Sequence, residues 1–364
     1  MVRIQRKPRL IGYGRAFLLT GLFLLAVAGG FLGGVYCFPG PVQDDGDTAP
    51  ADTPVQVFFV PGPETDVSLA KEALIGLISS ARENVLCAFY DFELERVAHA
   101  LIERHEAGVQ VAVVSDSGYE NRPGVMLCQR AGIPVVFDER SALMHNKFCV
   151  VDVRYVWTGS SNITRNCMFR NNNNAILIES PEVAVNFTNE FEEMFLHRQF
   201  GARSPMNTTY PTVTVAGIGL ECYFAPEDGV ERAIRARLAE SRREIAFMAF
   251  VFTSIPIAET MADRVAAGAR VRGVIERRSA GSQYSQHQFL SERGAEIYID
   301  TNPHTMHHKV IVVDARLVMT GSYNFSASAE TRNDENLIMI HNPDIALLFL
   351  EELERIIEAG TRPL

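Results

Sequence analysis

Two stretches of this sequence share one order of polar and apolar residues, and they decide the fold. Residues 144–152 are MHNKFCVVD and are followed by GSSN at 159–162. Residues 306–314 are MHHKVIVVD and are followed by GSYN at 321–324. The order His-x-Lys, Asp, Gly-Ser-x-Asn keeps the same spacing in both, and each position of the second copy lies 162 residues after its counterpart. The chain of 364 residues therefore contains an internal duplication.

Strand geometry explains why a histidine and a lysine two residues apart belong together. Alternate residues of a strand face the same side, so His145 projects with Lys147, and His307 with Lys309. The apolar residues that follow each pair are expected to lie buried in a sheet. The Gly-Ser-x-Asn turn adds a hydroxyl and an amide beside each pair, from Ser160 and Asn162 in the first half and from Ser322 and Asn324 in the second. Two such sets facing each other would form a pocket for a dianionic phosphoryl transition state.

The segments around the two motifs repeat as well. Short apolar runs at 55–60 and 220–225 each precede a helical segment and a further apolar run, at 84–89 and 244–249. The order in each half is β-α-β-α-β-α-β, which predicts an α/β architecture with mixed sheets flanked by helices. Two similar halves predict a pseudo-twofold arrangement with one shared active site, in a monomer that behaves as an intramolecular dimer.

Composition changes along the chain predict its segments. Residues 1–38 are predicted to be an N-terminal membrane segment, and residues 39–54, rich in Pro, Asp and Gly, a solvated linker. Residues 55–200 are predicted to form the first domain and residues 201–364 the second, with a polar junction at 198–215.

The N-terminal segment predicts export of the rest of the chain. Residues 16–36 carry no charge, and five basic residues precede them. Such a run is long enough to span a bilayer as a helix, with the body on the periplasmic or extracellular side. The alternative is a signal peptide cleaved near Ala28, which would release a secreted form.

Overall charge bears on the class of ligand. The formal net charge is −10, and the first fifteen residues contribute five positive charges and no negative one, so the remainder carries −15. A body this acidic is a poor general ligand for nucleic acid, which is bound mostly through Lys and Arg on phosphates. One local basic cleft is still compatible with an acidic exterior.

The six cysteines do not show the spacing of a metal site. No CxxC pair or Cys/His cluster is present, so no structural metal is predicted. Cys87 and Cys149 lie in strand-like runs and are expected to be buried free thiols. A disulfide among Cys128, Cys167 and Cys222 stays open as an alternative if the body lies in an oxidising compartment.

The duplicated motif resembles the HKD motif of the phospholipase D superfamily, and both copies match it in full. The resemblance covers the chain from Val55 to its C-terminus and extends to bacterial phospholipase D and nuclease-like proteins and to cardiolipin hydrolases and synthases. It implies that one histidine attacks phosphorus to give a phosphohistidine, while the other protonates the leaving alcohol and then activates water. It implies no cofactor and no metal, because lysines and asparagines hold the non-bridging oxygens. The implied catalytic residues are His145, Lys147, Asn162, His307, Lys309 and Asn324.

The resemblance also assigns supporting residues. Ser160 and Ser322 are expected to orient ligands, and Asp152 and Asp314 to brace the strand ends away from the substrate. His304 and His308 are interpreted as residues that line the cleft.

One position departs from the family pattern. A carboxylate that bonds a catalytic histidine is expected at Glu335, whereas the first half has the neutral Asn173 at the matching position. If these contacts cross between the halves, Glu335 supports His145 and Asn173 supports His307. This arrangement would make His145 the nucleophile and His307 the general acid, and contacts within each half would reverse the roles.

The motifs define phosphoryl chemistry and say little about the groups attached to it. The favoured interpretation is a phospholipase D-type phosphodiesterase that acts on a phospholipid head group at the membrane. The alternatives are a nuclease of the same superfamily, a phosphatidyltransferase similar to cardiolipin synthase, and an inactive binding scaffold. The scaffold is disfavoured because all eight His, Lys, Ser and Asn positions of the two motifs are intact.

Overall fold

The computed structural model describes residues 53–61 and 68–363. The predicted membrane segment and the linker up to residue 52 lie outside the described residues, so the anchor stays a prediction. Within the described part of the chain, no helix is both long and apolar enough to cross a bilayer.

Seven strands form the first sheet, in the spatial order β1-β7-β6-β5-β2-β3-β4. Strands β2, β3 and β4 are parallel to one another, and the other neighbours are antiparallel, so the sheet is mixed. The strands are β1 (Val55–Val60), β2 (Asn84–Phe89), β3 (Gln110–Ser115), β4 (Val135–Phe137), β5 (Lys147–Val151), β6 (Tyr155–Gly159) and β7 (Asn173–Glu179). The helices of this half are α1 (Leu69–Ser80), α2 (Glu95–Glu106), α3 (Pro123–Arg130), α4 (Arg165–Phe169) and α5 (Pro181–Phe195).

The second sheet has nine strands and repeats the order of the first, with one strand added at each edge. Its order is β16-β12-β11-β10-β13-β14-β15-β9-β8. The strands are β8 (Thr212–Val215), β9 (Ile218–Ala225), β10 (Glu244–Ala249), β11 (Arg270–Ile275), β12 (Glu296–Asp300), β13 (Lys309–Val313), β14 (Leu317–Gly321), β15 (Glu335–His341) and β16 (Thr361–Pro363). The helices are α6 (Val230–Ala239), α7 (Ile255–Ala266), α8 (Arg277–Ala280), α9 (His287–Ser291), α10 (Ala327–Thr331) and α11 (Pro343–Gly360).

Helices α5 and α11 begin in the same way at corresponding places. Ser180 and Asn342 are N-caps whose side chains accept from the backbone N–H of the third helical residue, at 3.3 and 2.9 Å. A proline follows each cap at the first helical position, where no N–H partner is needed. The local sequence thus fixes where both helices start.

Aromatic contacts join the two halves around these helices. Phe187 of α5 packs against Phe224 of β9 with ring centroids 5.1 Å apart. Phe349 of α11 packs against Phe59 of β1, also at 5.1 Å. One hydrophobic core contains residues of both halves, and each half has a further core of its own. The predicted α/β fold with two mixed sheets flanked by helices is confirmed, and Thr53–Leu364 forms one compact unit.

The polar junction predicted at 198–215 contains more structure than its composition indicates. A 3₁₀ turn covers Gly201–Arg203, and strand β8 pairs with β9. In β8 the valine Val213 is buried between two exposed threonines. Val213 and the partly buried Val215 face the core, and the threonines between and before them do not, so the strand lacks the apolar run by which the others were recognised.

The cysteines settle one alternative. All five in the described residues are free and buried, so the predicted free thiols at Cys87 and Cys149 are confirmed. These two lie opposite each other on β2 and β5, with their Sγ atoms 2.9 Å apart. The three cysteines for which a disulfide stayed open are not paired with one another.

Candidate active site

The entry to each His-x-Lys strand is fixed by a backbone contact with the opposite half. The N–H of His145 donates to the carbonyl of Asp334 at 3.0 Å, and the N–H of His307 donates to the carbonyl of Asn172 at 2.8 Å. Asp334 directly precedes β15, and Asn172 directly precedes β7. The second half therefore places the start of β15 beside His145, and the first half places the start of β7 beside His307. The sequence repeat therefore produces an exchanged arrangement, in which each half supports the histidine of the other half.

Glycine is required at the end of β6 and β14. Gly159 and Gly321 have φ values of 142° and 156°, in the region that favours glycine. A Cβ atom at either position would collide with the backbone carbonyl of Asn174 or Asn336. This close approach brings the serine of each Gly-Ser-x-Asn turn next to the strand of the supporting residue.

His145 is held by a carboxylate from the second half. Its Nδ1 lies 2.7 Å from Oε2 of Glu335, which is fully buried. Ser322 donates to the same oxygen at 2.7 Å, and Asn333 donates to Oε1 at 3.2 Å. Because Nδ1 donates to the carboxylate, Nε2 of His145 is left as the free nitrogen of the ring.

His307 is held by an amide from the first half. Its Nδ1 lies 2.9 Å from Oδ1 of Asn173 and 3.1 Å from the carbonyl of Ser160. Both partners are acceptors, so Nδ1 carries the proton. Asn173 is oriented by its own Nδ2, which donates to the carbonyl of Cys167 at 3.2 Å. The contacts cross between the halves, as the assignment of His145 as nucleophile requires.

The two lysines sit in matching positions. Nζ of Lys147 donates to the carbonyl of His145 at 2.6 Å, and Nζ of Lys309 donates to that of His307 at 2.8 Å. Lys147 also lies 4.8 Å from the ring centre of Tyr90, and Lys309 lies 4.8 Å from that of Phe250. Each ammonium keeps further N–H donors for a ligand.

Burial lowers the pKa values of the four central groups. It lowers the pKa of His145 to about 4, although the charge of Glu335 opposes the shift. Burial and the charges of Lys309, Lys147 and His145 lower the pKa of His307 well below its usual value. Burial lowers the pKa of Lys147 to about 8 and that of Lys309 well below its usual value. An anion bound among these groups would raise all four pKa values, since it would offset their mutual repulsion.

The motif asparagines have a buried oxygen without a partner. Oδ1 of Asn162 and Oδ1 of Asn324 are inaccessible to solvent and accept no hydrogen bond within the described residues. The same orphaned atom therefore occurs at corresponding positions of both turns. A buried polar atom without a partner calls for an explanation, and a functional role is one such explanation.

The motif serines act on the supporting residues. Ser160 donates to Oδ1 of Asn173 at 2.9 Å, and Ser322 donates to Glu335. Each hydroxyl also accepts a backbone N–H, from Asn174 and Asn336 respectively. The predicted orienting role thus falls on the residues behind the histidines.

The motif aspartates bind backbone, as predicted. Asp152 accepts three N–H groups of the turn before β2, at 2.8–3.0 Å, and Asp314 accepts three before β10, also at 2.8–3.0 Å. Burial alone would raise the pKa of Asp314, but the N–H groups that it accepts outweigh burial and lower it. Both carboxylates therefore lie at strand ends opposite the site.

Asp314→Ala is expected to lower the free energy of unfolding by about 1–3 kcal/mol, because three backbone donors lose a charged acceptor. Turnover per folded molecule should stay within about threefold of the wild type. The contribution is present above the unfolded-state pKa and is lost as the pH falls through the lowered folded-state value. Urea denaturation at pH 7 and pH 3 measures it, with the exposed Asp263→Ala as the control. A loss of turnover without a loss of stability would contradict the bracing role.

A buried polar network behind the histidines was not predicted. The residue between His and Lys is Asn146 in the first half and His308 in the second. Asn146 donates to Glu190 at 2.7 Å, and His308 contacts Glu352 at 3.0 Å. Each also bonds an asparagine across the halves: Asn336 to Asn146 at 2.8 Å and Asn174 to His308 at 3.0 Å. The interpretation of His308 as a residue lining the cleft is wrong, since its ring is fully buried in this network.

Three carboxylates form an acidic cluster beside the network. Ligand atoms of Glu190, Glu193 and Glu227 all lie within 4.8 Å of one another, a grouping that could hold a cation. Burial raises the pKa of Glu193 to about 7 and of Glu227 to about 8, and raises that of Glu190 well above its usual value. Burial thus favours the protonated form of these carboxyl groups.

This cluster predicts a pH-dependent stability. A carboxyl group whose folded pKa is raised contributes stability below its unfolded pKa and loses it as the pH rises through the folded value. Between pH 6.5 and 8, the wild type should therefore lose about 1–2 kcal/mol of unfolding free energy relative to Glu227→Gln. Histidines and lysines titrate equally in both proteins, so the difference reports the coupled carboxyl groups of the cluster. Chemical denaturation at the two pH values measures it, and the exposed Glu103→Gln should keep the wild-type dependence. Parallel curves for wild type and Glu227→Gln would contradict the raised pKa.

Comparisons with known proteins agree with this geometry. The family described as cardiolipin synthase, PLD-like domain, matches residues 74–195 and again residues 234–357. A mitochondrial cardiolipin hydrolase of Xenopus laevis is 32% identical over 163 residues, which are 44% of this chain and 75% of that relative. A phospholipase D of Rickettsia bellii is 31% identical over 128 residues, 35% of this chain and 64% of the relative, so the chain spans less than two thirds of that protein.

A solved structure shares the whole two-sheet architecture. The phosphatidylserine synthase of Haemophilus influenzae superimposes with a TM-score of 0.66 at 15% identity, over 85% of this chain and 87% of that one. At this identity the likeness concerns the fold alone. The family match covers more than half of the chain, in two copies that coincide with the two halves. The chain therefore belongs to the cardiolipin synthase, PLD-like domain family of the phospholipase D superfamily.

Proposed function

We propose that this protein is a phosphodiesterase that cleaves phospholipids at the head group through a phosphohistidine intermediate. The observation that carries the proposal is the exchanged support of the two histidines. Each imidazole has its Nδ1 fixed by the opposite half, and a lysine lies on the same strand face. Nε2 of His145 is left for chemistry, and Nε2 of His307 lies 3.4 Å from Nζ of Lys309. This is a two-histidine site built from two halves of one chain.

The first step breaks the ester bond to the head group. Nε2 of His145 attacks phosphorus with its lone pair, and the bond from phosphorus to the leaving oxygen breaks. The electron pair of that bond stays on the leaving oxygen, which takes a proton from His307. In the second step His307 accepts a proton from water, and the water oxygen displaces His145 from phosphorus. The sum is hydrolysis of one phosphodiester bond.

The positive charges of the site stabilise the transition state. Lys147 and Lys309 retain N–H donors, and the amides of Asn162 and Asn324 lie on the motif turns. Donors fixed before the reaction stabilise the charge that develops on the non-bridging oxygens without reorganising. A bound phosphodiester also favours the protonated form of His307, because its negative charge raises the lowered pKa.

The unequal supports favour His145 as the nucleophile. Glu335 stabilises positive charge on the ring of His145, as forms when Nε2 bonds to phosphorus, whereas the amide of Asn173 does this weakly. A weakly basic His307 gives up its proton readily, which suits a general acid. Each imidazole thus has a different electrostatic partner, which supports a different role for each.

A lipid substrate at a membrane is the proposal for the physiological setting. It is supported by relatives named phospholipase D and mitochondrial cardiolipin hydrolase and by the negative charge of the body. The uncharged run at 16–36 would tether the body to the membrane on its extracytoplasmic side. In this proposal the enzyme and its lipid substrate lie in the same membrane.

The test offers the purified protein three substrates in EDTA: phosphatidylcholine, cardiolipin and single-stranded DNA. Turnover of lipid with EDTA present is expected, and His145→Asn should remove it. Cleavage of DNA without lipid turnover would replace the lipid proposal by a nuclease. Activity that disappears in EDTA would overturn the assignment of charge stabilisation to the two lysines.

A further inference from the structure

A pocket of about 460 Å³ opens beside His307, and all but one of its lining residues belong to the second half. Phe250, Val251 and Thr253 follow strand β10 and form one part of the wall. Arg278, on the short helix after β11, forms another part. The pocket therefore joins the proposed general acid to a guanidinium that the mechanism does not use.

The first half has no cation at the position of Arg278. Strands β3 and β11 correspond, and the capping residues Asp116 and Glu276 directly follow them. The next two residues are Ser-Gly at 117–118 in the first half and Arg-Arg at 277–278 in the second. These two positions therefore carry positive charge only in the second half, which is the half that contains His307.

The arginine of the first-half cleft is neutralised by a carboxylate. Arg122 donates to Asp91 at 2.8 Å and forms an ion pair with it. Counted from the ends of β2 and β3, their counterparts in the second half are Val251 and Ser282, and both line the pocket. The ion pair that occupies the first half has therefore been replaced by an apolar side chain and a hydroxyl.

The charge that the pocket offers to a ligand is positive. Arg278 is exposed, and its guanidinium has no ion pair or hydrogen bond within residues 53–61 and 68–363. The carboxylate of Glu276 also lines the pocket, but this residue is only 2% exposed and accepts the N–H of Ser279 at 2.9 Å. The guanidinium of Arg278 is therefore available to bind an anion, because the neighbouring carboxylate of Glu276 bonds the backbone instead.

We propose that Arg278 binds a phosphate carried by the leaving group. The inference rests on the proposed function, which places the leaving oxygen at His307. The substrate class is then a phosphodiester whose leaving alcohol bears a second phosphate. A lipid with two phosphatidyl groups and an oligonucleotide both have this chemistry, and a guanidinium matches it with two parallel N–H donors. A glycerol head group lacks the second phosphate, and choline carries a positive charge.

The experiment compares substrates whose leaving alcohol carries a second phosphate with substrates whose leaving alcohol carries none. The lipid pair is cardiolipin and phosphatidylglycerol in the same micelles, and the nucleotide pair is a thymidine trinucleotide and dinucleotide. Arg278→Ala should lower kcat/KM for the phosphate-bearing member about 10- to 100-fold, and for the other member less than threefold. Arg278→Lys should retain part of the preference. An effect in the lipid pair alone identifies the second phosphate as that of a lipid, and one in the nucleotide pair alone as that of a nucleic acid.

The neighbouring residue supplies the control. Arg277 is also exposed and does not line the pocket, so Arg277→Ala should keep the wild-type preference in both pairs. Equal losses for both members of a pair, or no loss for either, would overturn the role of Arg278 and leave the proposed function standing.

A binding measurement separates the two proposals. Glycerol 3-phosphate serves as the probe in calorimetry with wild type, Arg278→Ala and Arg277→Ala. Affinity should fall about tenfold in Arg278→Ala alone. Failure of the enzyme to cleave any phosphodiester would refute the proposed function, whereas unchanged binding by Arg278→Ala together with an unchanged substrate preference would refute the anion site.

Discussion

His145→Asn is expected to reduce phosphodiester turnover by on the order of 10⁴-fold or more, since it removes the nucleophile. The amide of asparagine lies near the position of Nδ1, so it can still donate to Glu335 and spare the buried carboxylate a lost partner. Circular dichroism and thermal unfolding should therefore be close to those of the wild type. Steady-state rates on phospholipid and on an aryl phosphodiester measure the loss.

His307→Asn should differ from His145→Asn in one respect. An aryl alcohol leaves without protonation, so the first step still proceeds and a phosphoenzyme accumulates, because no base activates water. Labelled substrate and peptide mapping should place the phosphoryl group on His145. The exposed His99→Ala is the control and should keep full activity. A label on His307 in the wild type would reverse the two roles.

Glu335→Gln should lower kcat on the order of 10²-fold, because the ring of His145 loses the negative charge that stabilises its cationic form. Loss of that charge lowers the pKa of His145 further below about 4. The acidic limb of the kcat/KM profile should therefore move to lower pH. The measurement is a pH profile on one lipid substrate. The hydroxyl of Ser322 should still donate a hydrogen bond to the side chain at position 335.

Asn173→Asp changes the other imidazole in the opposite direction. A carboxylate at 2.9 Å from Nδ1 should raise the pKa of His307 and move the basic limb of the profile to higher pH. It also removes the donor to the carbonyl of Cys167, which costs about 1 kcal/mol of stability. The exposed Asn121→Asp adds the same charge elsewhere and should leave the profile unchanged. A profile that does not move in Asn173→Asp would show that the amide does not set the basicity of His307.

Much of the fold follows from the sequence because the duplication provides two independent views of each element. The apolar runs at 84–89 and 244–249 are central strands of the two sheets. Most of their side chains are buried, which accounts for their apolar character. Strand β8 escaped prediction since a single buried valine among threonines does not distinguish an edge strand from a loop. Edge pairing is decided by the neighbouring strand and not by the segment itself.

The site was predictable where its chemistry repeats and unpredictable where it depends on the interface. The pairing of His145 with Glu335 was a conditional expectation, because spacing alone does not say which half a contact crosses to. The sequence did not predict the buried network of Asn146 and His308, because the two residues differ in type although they occupy the same position of the motif. Its signal was the matching position between His and Lys, together with glutamates at 190 and 352, which lie 162 residues apart.

The difference between Glu335 and Asn173 has a consequence for how such a site can evolve. A symmetric homodimer of a single half would carry the same residue at both supporting positions, so its two imidazoles would be equally basic until substrate arrived. Fusion into one gene removes that restriction. A substitution can then alter the partner of one histidine and leave the other untouched, and the reaction can acquire a fixed direction across the interface.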